Sequence, residues 1–468
     1  MTYLTKPNLL LIMVDQFRFD WISCAGTNMV DTPNIDRIAA RGVRFERAVC
    51  NSPVCGPSRS SLAAGVYPHR IGNLENFVNY PLSQPTYYQA LRQAGYRVGI
   101  VGKSDLHKGD HFYGLNGDLP LMYHLGFTDV HETEGKMNAA FRRNRLMQLE
   151  IDPNDDSHIA GPYQRYLRDR GLLTAFVEDY RRRFDNWKLW NAWPSPLPAE
   201  HFHDSYIGRA SCEWLERISD ESPWHLFVSF VGPHDPWDAP AEYVETIGDR
   251  PFPASIADSL EDKPQWIQRK SSKHTQGMSD EDLLKVKRHY AAAITLIDDW
   301  VGTILDTLER RKLADDTVIM FCADHGEMMG DHGLFQKSTM YEGALRIPLI
   351  ISDPRHPVAG TSNALAELVD LHPTLLDLAG AEYARAALDG VSLVPQLRGQ
   401  PDAHKSYQFS ELNNSRMVSD GRYKYIENHN DVAELYDLQE DPQELRNLAR
   451  DLPEIRQRLH SAMMQIRK

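Results

Sequence analysis

The run Asn8-Leu9-Leu10-Leu11-Ile12-Met13-Val14 stops at a polar pair, Asp15-Gln16. It has no polar alternation, so as a strand it offers no face to water and must be covered on both sides. Strands of that kind sit inside parallel sheets sandwiched by helices. Outward from it, short apolar runs alternate with helical patterns. Residues 34–41 read as a helix stopped by Gly42, 86–94 as a helix up to Gly95, and Tyr96–Val101 as the next strand. His225–Val231 and Thr317–Cys322 are further strands. Residues 279–312 form a long amphipathic helix, and its opening Ser279-Asp280-Glu281-Asp282 suits the positive end of the helix dipole. A helix over 364–379 ends at Gly380. The alternation predicts an α/β fold with a large, mostly parallel sheet flanked by helices.

Two stretches differ in texture. After about residue 385 the chain becomes turn-rich, with short strands such as Tyr423–Ile426 and a last helix over 452–467. This predicts a large domain over 1–385 and a smaller C-terminal α+β domain over 386–468 carrying a short antiparallel sheet. Residues 131–200 are rich in Arg, Asn and Trp and weakly periodic, and read as a surface excursion. Within it Lys136, Arg142, Arg143 and Arg145 are equally well explained as a receiver for a second anionic group or as a solvated basic face.

Composition sets the class. Of 468 residues, 42 % are hydrophobic and 25 % charged, which excludes wholesale disorder. Basic residues number 51 and acidic ones 65, and a net charge of −14 argues against nucleic acid or an anionic membrane as the main partner. No apolar run is long enough to span a bilayer. The N-terminal apolar run lacks a small-residue cleavage site, and the five cysteines (Cys24, Cys50, Cys55, Cys212 and Cys322) lack a disulfide or CxxC framework. Both features point to a cytoplasmic protein with reduced thiols.

The chemistry concentrates in a few strings. In Ser52-Pro53-Val54-Cys55-Gly56-Pro57-Ser58-Arg59, followed by Leu62 and Gly65, Pro57 suits the first turn of a helix. Cys55 therefore stands where backbone N–H groups favour anions, with Arg59 adding a fixed charge. Asp15-Gln16 and Asp324-His325 close two strands, where open α/β sheets place ligands. Carboxylate, amide and imidazole groups converging there suit a hard divalent cation. Taken singly, a cysteine before a capped helix, an Asp-Gln turn, a surface lysine or a histidine beside proline is ordinary structure.

Together the strings resemble type I sulfatases, formylglycine-dependent enzymes of the alkaline phosphatase superfamily. The Cys55-x-Pro57-Ser58-Arg59 core matches their signature, with Ala64 where threonine is usual. The resemblance implies that Cys55 is oxidised to Cα-formylglycine by a separate maturation enzyme. It implies that Asp15, Gln16, Asp324 and His325, with position 55, hold one divalent cation, Ca2+ first and Mn2+ as the alternative. Gln16 departs from the usual second aspartate and removes one negative charge. Gly330-Asp331-His332-Gly333-Leu334-Phe335-Gln336-Lys337 looks like the family segment whose lysine contacts sulfate, and Pro233-His234-Asp235-Pro236 like the one whose histidine protonates the leaving group. Gly102-Lys103-Ser104-Asp105 carries the sulfate-binding lysine but has Asp105 where many members have histidine, with His107 two residues on. That version, with Asn76 as a substrate contact, is similar to arylsulfatase K-like enzymes, which act on sulfated uronate. The string Val432–Pro442 is similar to the sulfatase C-terminal domain.

The mechanism implied is clamping of a sulfate monoester by the metal, Arg59, Lys103 and Lys337. A formylglycine hydroxyl attacks sulfur, His234 protonates the departing alcohol, and Asp105 or His107 takes the proton that lets sulfate leave. The expected substrate is a small anionic sulfate ester: a sulfated sugar, a uronate, or an alkyl or aryl sulfate. A phosphonate monoester or phosphodiester hydrolase on the same fold is the nearest rival, since such relatives can show Asp-Gln with Asp-His at the metal. A catalytically silent metal-bearing binding protein and a thiol-dependent hydrolase are the remaining readings. A homo-oligomer is left open.

Overall fold

The computed structural model describes residues 6–108, 112–137, 159–185, 187–400 and 404–467. The main sheet is built from β1 (Asn8–Asp15), β2 (Val43–Phe45), β3 (Arg97–Gly102), β4 (Asp129–Glu132), β5 (Trp224–Pro233), β6 (Thr317–Ala323), β7 (Leu349–Ser352) and β8 (Gly360–Ser362). Their order across the sheet is β4-β3-β5-β1-β6-β7-β2-β8. β1 lies at the middle, parallel to β5 on one side and to β6 on the other. Only β7 runs against its neighbours. Leu9 to Val14 are wholly buried, as a strand covered on both faces must be.

Helices cover both faces. The longest, Asp280–Arg310, starts with Ser279 and Asp282 capping each other's backbone N–H groups, and it packs against the helix His203–Arg217. The second sheet is antiparallel, with β9 (Gln408–Glu411), β10 (Ser415–Ser419), β11 (Tyr423–Asn428) and β12 (Glu434–Asp437) in the order β12-β11-β10-β9. The helix Pro453–Ile466 packs on β10 and β11 through a core that includes Phe409, Val418, Leu435, Leu459 and Met463.

Two regions differ from the sequence expectation. The stretch 364–379 is helical only from Leu371, after a 3₁₀ turn at Leu368–Asp370. Upstream of that turn the backbone pairs with Val49 instead: Val49 N–H donates to Ala366 O, and Leu368 N–H to Val49 O. The buried side chains of Glu367 and Asp370, both ion-paired to Lys405, hold that arrangement. The 131–200 excursion carries the helices Pro162–Arg168 and Leu173–Asp185, which close a separate small core of Tyr163, Leu167, Phe176, Val177 and Tyr180. Arg142, Arg143 and Arg145 lie outside the described residues. No helix among the described residues is long and apolar enough to cross a membrane.

Candidate active site

The site forms where the carboxyl ends of β1 and β6 meet the first turn of the helix Cys55–Ala64. That helix is buried along its whole length and ends on Gly65 at φ 71°, a left-handed cap that glycine adopts without strain. Gly56 N–H, an orphan donor of the first turn, is taken by Asn76 Oδ1 at 2.9 Å. Ser58 Oγ donates to Asp324 O at 2.6 Å, which ties the helix start to the end of β6.

Asp15, Cys55, Asp324 and His325 offer ligand atoms that all lie within 4.8 Å of one another, and all four residues are buried. Cys55 Sγ is 3.1 Å from His325 Nε2, 3.6 Å from Asp15 Oδ1 and 3.2 Å from Lys337 Nζ. His325 Nδ1 faces Gly326 O at 2.9 Å, which leaves Nε2 as the ring's inward face. Two carboxylates, an imidazole and position 55 make a donor set that fits a divalent cation. Ammonium groups already gather there: Lys103 Nζ pairs with Asp15 Oδ2, and Lys337 Nζ donates to Gln16 Oε1 at 2.7 Å.

The electrostatics are those of a buried polar cluster. Burial raises the Cys55 thiol, but Lys103, Lys337, Lys108 and His325 outweigh it and hold the group well below its ordinary range. At Asp15, burial and Cys55 push upward, and Lys103, His234 and Lys337 overcome them, leaving the carboxyl below the usual carboxylate range. Lys103 is driven up against its burial by Asp105 and Asp15. Asp105 is lowered against its burial by Lys103 and Lys108. Charge of both signs is matched inside the cluster, which is what permits its burial.

A family model described as Sulfatase matches residues 7–381, most of the chain. The chain belongs to the sulfatase family. Sulfatases are sulfuric ester hydrolases, so the protein is an enzyme of that class. A second model, N-sulphoglucosamine sulphohydrolase, C-terminal, matches residues 330–468. The chain is 31 % identical to a choline-sulfatase of Rhizobium meliloti (strain 1021), over 95 % of this chain and 82 % of that protein. It is 26 % identical to arylsulfatase K of Homo sapiens, over 97 % and 82 %. The fold matches a phosphonate monoester hydrolase of Agrobacterium radiobacter at a TM-score of 0.79, 23 % identical, covering 99 % and 95 %. It also matches a protein solved with its substrate D-glucosamine-2-N,6-O-disulfate at 0.75, 21 % identical, covering 99 % and 98 %. These structures share the alkaline-phosphatase-like fold expected from the sequence.

Within this sulfatase the singled-out residues take different stations. Lys337 lies at the centre, its Nζ touching Cys55, Gln16 and, at 2.6 Å, His234 Nε2. His234 Nδ1 faces Asp235 O at 2.6 Å, so its Nε2 points into the site. Arg59 is buried, and its Nη2 has no hydrogen-bond partner among the described residues. It sits behind the carboxylates, Nε on Asp324 Oδ2 at 2.8 Å and Nη1 on Lys103 O and Ser229 Oγ. Asp105 Oδ2 lies between Lys103 at 3.1 Å and Lys108 at 2.8 Å, and its buried Oδ1 has no hydrogen-bond partner among the described residues. His107 is turned to Glu132, Nε2 to Oε2 at 2.5 Å, and not to Cys55. The Asn76 side-chain oxygen serves the helix start. Lys136 does not await an anion: it is buried, ion-paired to Asp238, and its Nζ donates to His234 O and Pro236 O. It holds the turn that carries His234.

Four contributors escape a reading by motif. Lys108 faces Asp105. Glu327 and Asp235 face the Gln16 amide. Lys270, on the helix Gln265–Thr275, donates from Nζ to Lys337 O at 2.6 Å, and burial lowers it to about 8 against the pull of Glu327. Glu327 follows His325 by two residues and was visible as an acid beside the motif; Lys270 gives no local signal.

Proposed function

We propose that this sulfatase hydrolyses small anionic sulfate monoesters through a formylglycine at position 55 and one divalent cation. The observation that carries the reading is the convergence on Cys55 of the ammonium groups of Lys103 and Lys337, with His234 against Lys337, beside the ligand set Asp15, Asp324 and His325. Gln16 Oε1, facing Lys337, completes the ligands. A divalent cation bound by them supplies Lewis acidity toward a sulfate oxygen and toward the oxygen nucleophile. Hydrated formylglycine supplies that nucleophile, which cysteine lacks, and a second hydroxyl for product release.

The chain's own residues do the rest. Lys103 and Lys337 balance the charge of the sulfate oxygens where water is largely excluded. Arg59 fixes the ligand oxygens of Asp324 and stands 3.7 Å from Asp15 Oδ2, so its part is to position ligands. His234, its Nδ1 held at Asp235 O and its Nε2 2.6 Å from Lys337 Nζ, delivers a proton from Nε2 to the leaving alcohol. Asp105 Oδ1 is the acceptor for the proton lost at position 55; the Glu132 contact of His107 leaves that histidine a supporting role.

Replacement of Cys55 by alanine abolishes turnover of the best sulfate ester; near-normal turnover contradicts the proposal. The second reading, phosphonate monoester hydrolysis, is favoured by Gln16 at the cation site and by the fold shared with the Agrobacterium radiobacter enzyme. Lys103, a second lysine for a terminal sulfate, favours sulfate. The kcat/KM ratio for matched sulfate and phosphonate esters decides between them. The breadth of sulfated sugars, uronates and aryl sulfates is settled by the same panel.

A further inference from the structure

A glutamine is an ambiguous metal ligand. Its amide has an accepting end and a donating end of nearly equal size, and only the oxygen can face a cation. A carboxylate has no such problem, so a chain with Gln16 in a ligand position needs something that sets the flip. The backbone of Gln16 is pinned in the left-handed region at φ 63°, its N–H donating to Asp324 Oδ1 and its carbonyl accepting from Tyr290 OH. That fixes where the side chain starts but not which way the amide points.

The far end of the amide is held by acids. Gln16 Nε2 donates to Glu327 Oε2 at 2.7 Å and lies 3.3 Å from Asp235 Oδ1. Glu327 is itself immobilised, because its Oε1 accepts N–H from Gln336 at 2.6 Å and from Met329 at 3.1 Å. Asp235 is fixed from the other side by Gln336 Nε2 at 2.9 Å. Both acids are buried, so water cannot take over as acceptor for the amide N–H groups. Turned over, the amide would set its NH2 against the Lys337 ammonium and its oxygen against two carboxylates, losing every contact it makes.

We infer that Glu327, seconded by Asp235, is a positioning residue that orients the Gln16 amide with Oε1 toward the cation. Glu327 thereby places a carboxylate one hydrogen bond behind the ligand, in a chain that lacks a second carboxylate beside Asp15. The inference rests on the proposed cation site. It predicts that Glu327 and Gln16 act as one unit in metal binding.

The test uses full-length protein bearing Cys55 and isothermal titration with Mn2+ and Ca2+, a readout independent of turnover. Glu327→Gln offers a competing NH2 to Gln16. It is expected to weaken metal binding about 10- to 100-fold, the usual consequence of losing an outer-sphere partner. In a Gln16→Ala background the same change is expected to alter affinity less than about threefold, since the group it orients is gone. If wild-type protein binds neither ion, the proposed cation site fails. If wild type binds and Glu327→Gln binds equally well, or loses as much in the Gln16→Ala background, the inference alone fails. Should Glu327→Gln lack a cooperative melt, Glu327→Asp, which keeps the charge but withdraws the acceptor, is read by the same criteria.

Discussion

Lys337→Met removes an ammonium that touches the nucleophile position, a ligand amide and the histidine together, at 3.2, 2.7 and 2.6 Å. Methionine has similar length and no charge, so the pocket stays filled. Two unit charges 3.2 Å apart at an effective dielectric of 20 interact by about 5 kcal/mol. Only the part that grows between bound ester and transition state affects kcat. Loss of a single preorganised donor from such sites costs about 3–4 kcal/mol, or 10²–10³ in rate. We expect kcat/KM to fall by that factor, with kcat carrying most of it. The loss should be larger for alkyl than for activated aryl sulfates, because His234 also loses the side chain that its Nε2 contacts and poor leaving groups need the proton His234 delivers. The assay is steady-state turnover of aryl sulfates of graded leaving-group acidity by protein whose conversion at position 55 matches wild type. A variant within tenfold of wild type, or one with no leaving-group dependence in its loss, refutes the reasoning.

Three further outcomes follow from the same geometry. Arg59→Met strands the buried carboxylate of Asp324, and is expected to cost about 3–5 kcal/mol in urea unfolding under chelator, part of which added Mn2+ restores; full stability under chelator contradicts the clamp. Burial raises Asp204 to about 6, against Lys136 and the N–H groups of Val231 and Gly232. Its folded value lies above its unfolded one, so its stability contribution is complete below about pH 4 and is lost as pH rises through 6; wild type should lose about 3 kcal/mol relative to Asp204→Asn over that window, and a pH-independent difference refutes it. Lys270→Met leaves Lys337 O without its donor, and is expected to lower kcat/KM about tenfold in wild type but not further in Lys337→Met; additive losses show that Lys270 does not act through Lys337.

What could be read in advance was what local pattern determines. The unalternated run at β1 predicted a strand of a helix-covered parallel sheet, and Ser279 with Asp282 announced the start of the long helix. The strand-end pairs Asp15-Gln16 and Asp324-His325 needed only their order along the chain to be placed together. What stayed hidden depends on contacts between residues far apart in sequence. That Arg59 also braces a ligand carboxylate is invisible until Asp324, 265 positions away, is seen on its Nε. Lys136 reads as a surface base until Asp238 and the carbonyls of His234 and Pro236 enclose it. The Glu327 contact with Gln16 spans 311 positions. Residues 364–370 have helical periodicity, but pairing with Val49 offers their backbone a better set of partners.

The most direct test of the account is the mass of the peptide containing Cys55, taken from protein made in its own host or with a maturation enzyme present. Formylglycine at position 55 predicts loss of sulfur and two hydrogens with gain of one oxygen, in proportion to sulfatase activity across preparations. An intact thiol in protein that turns over sulfate esters at full rate would contradict it.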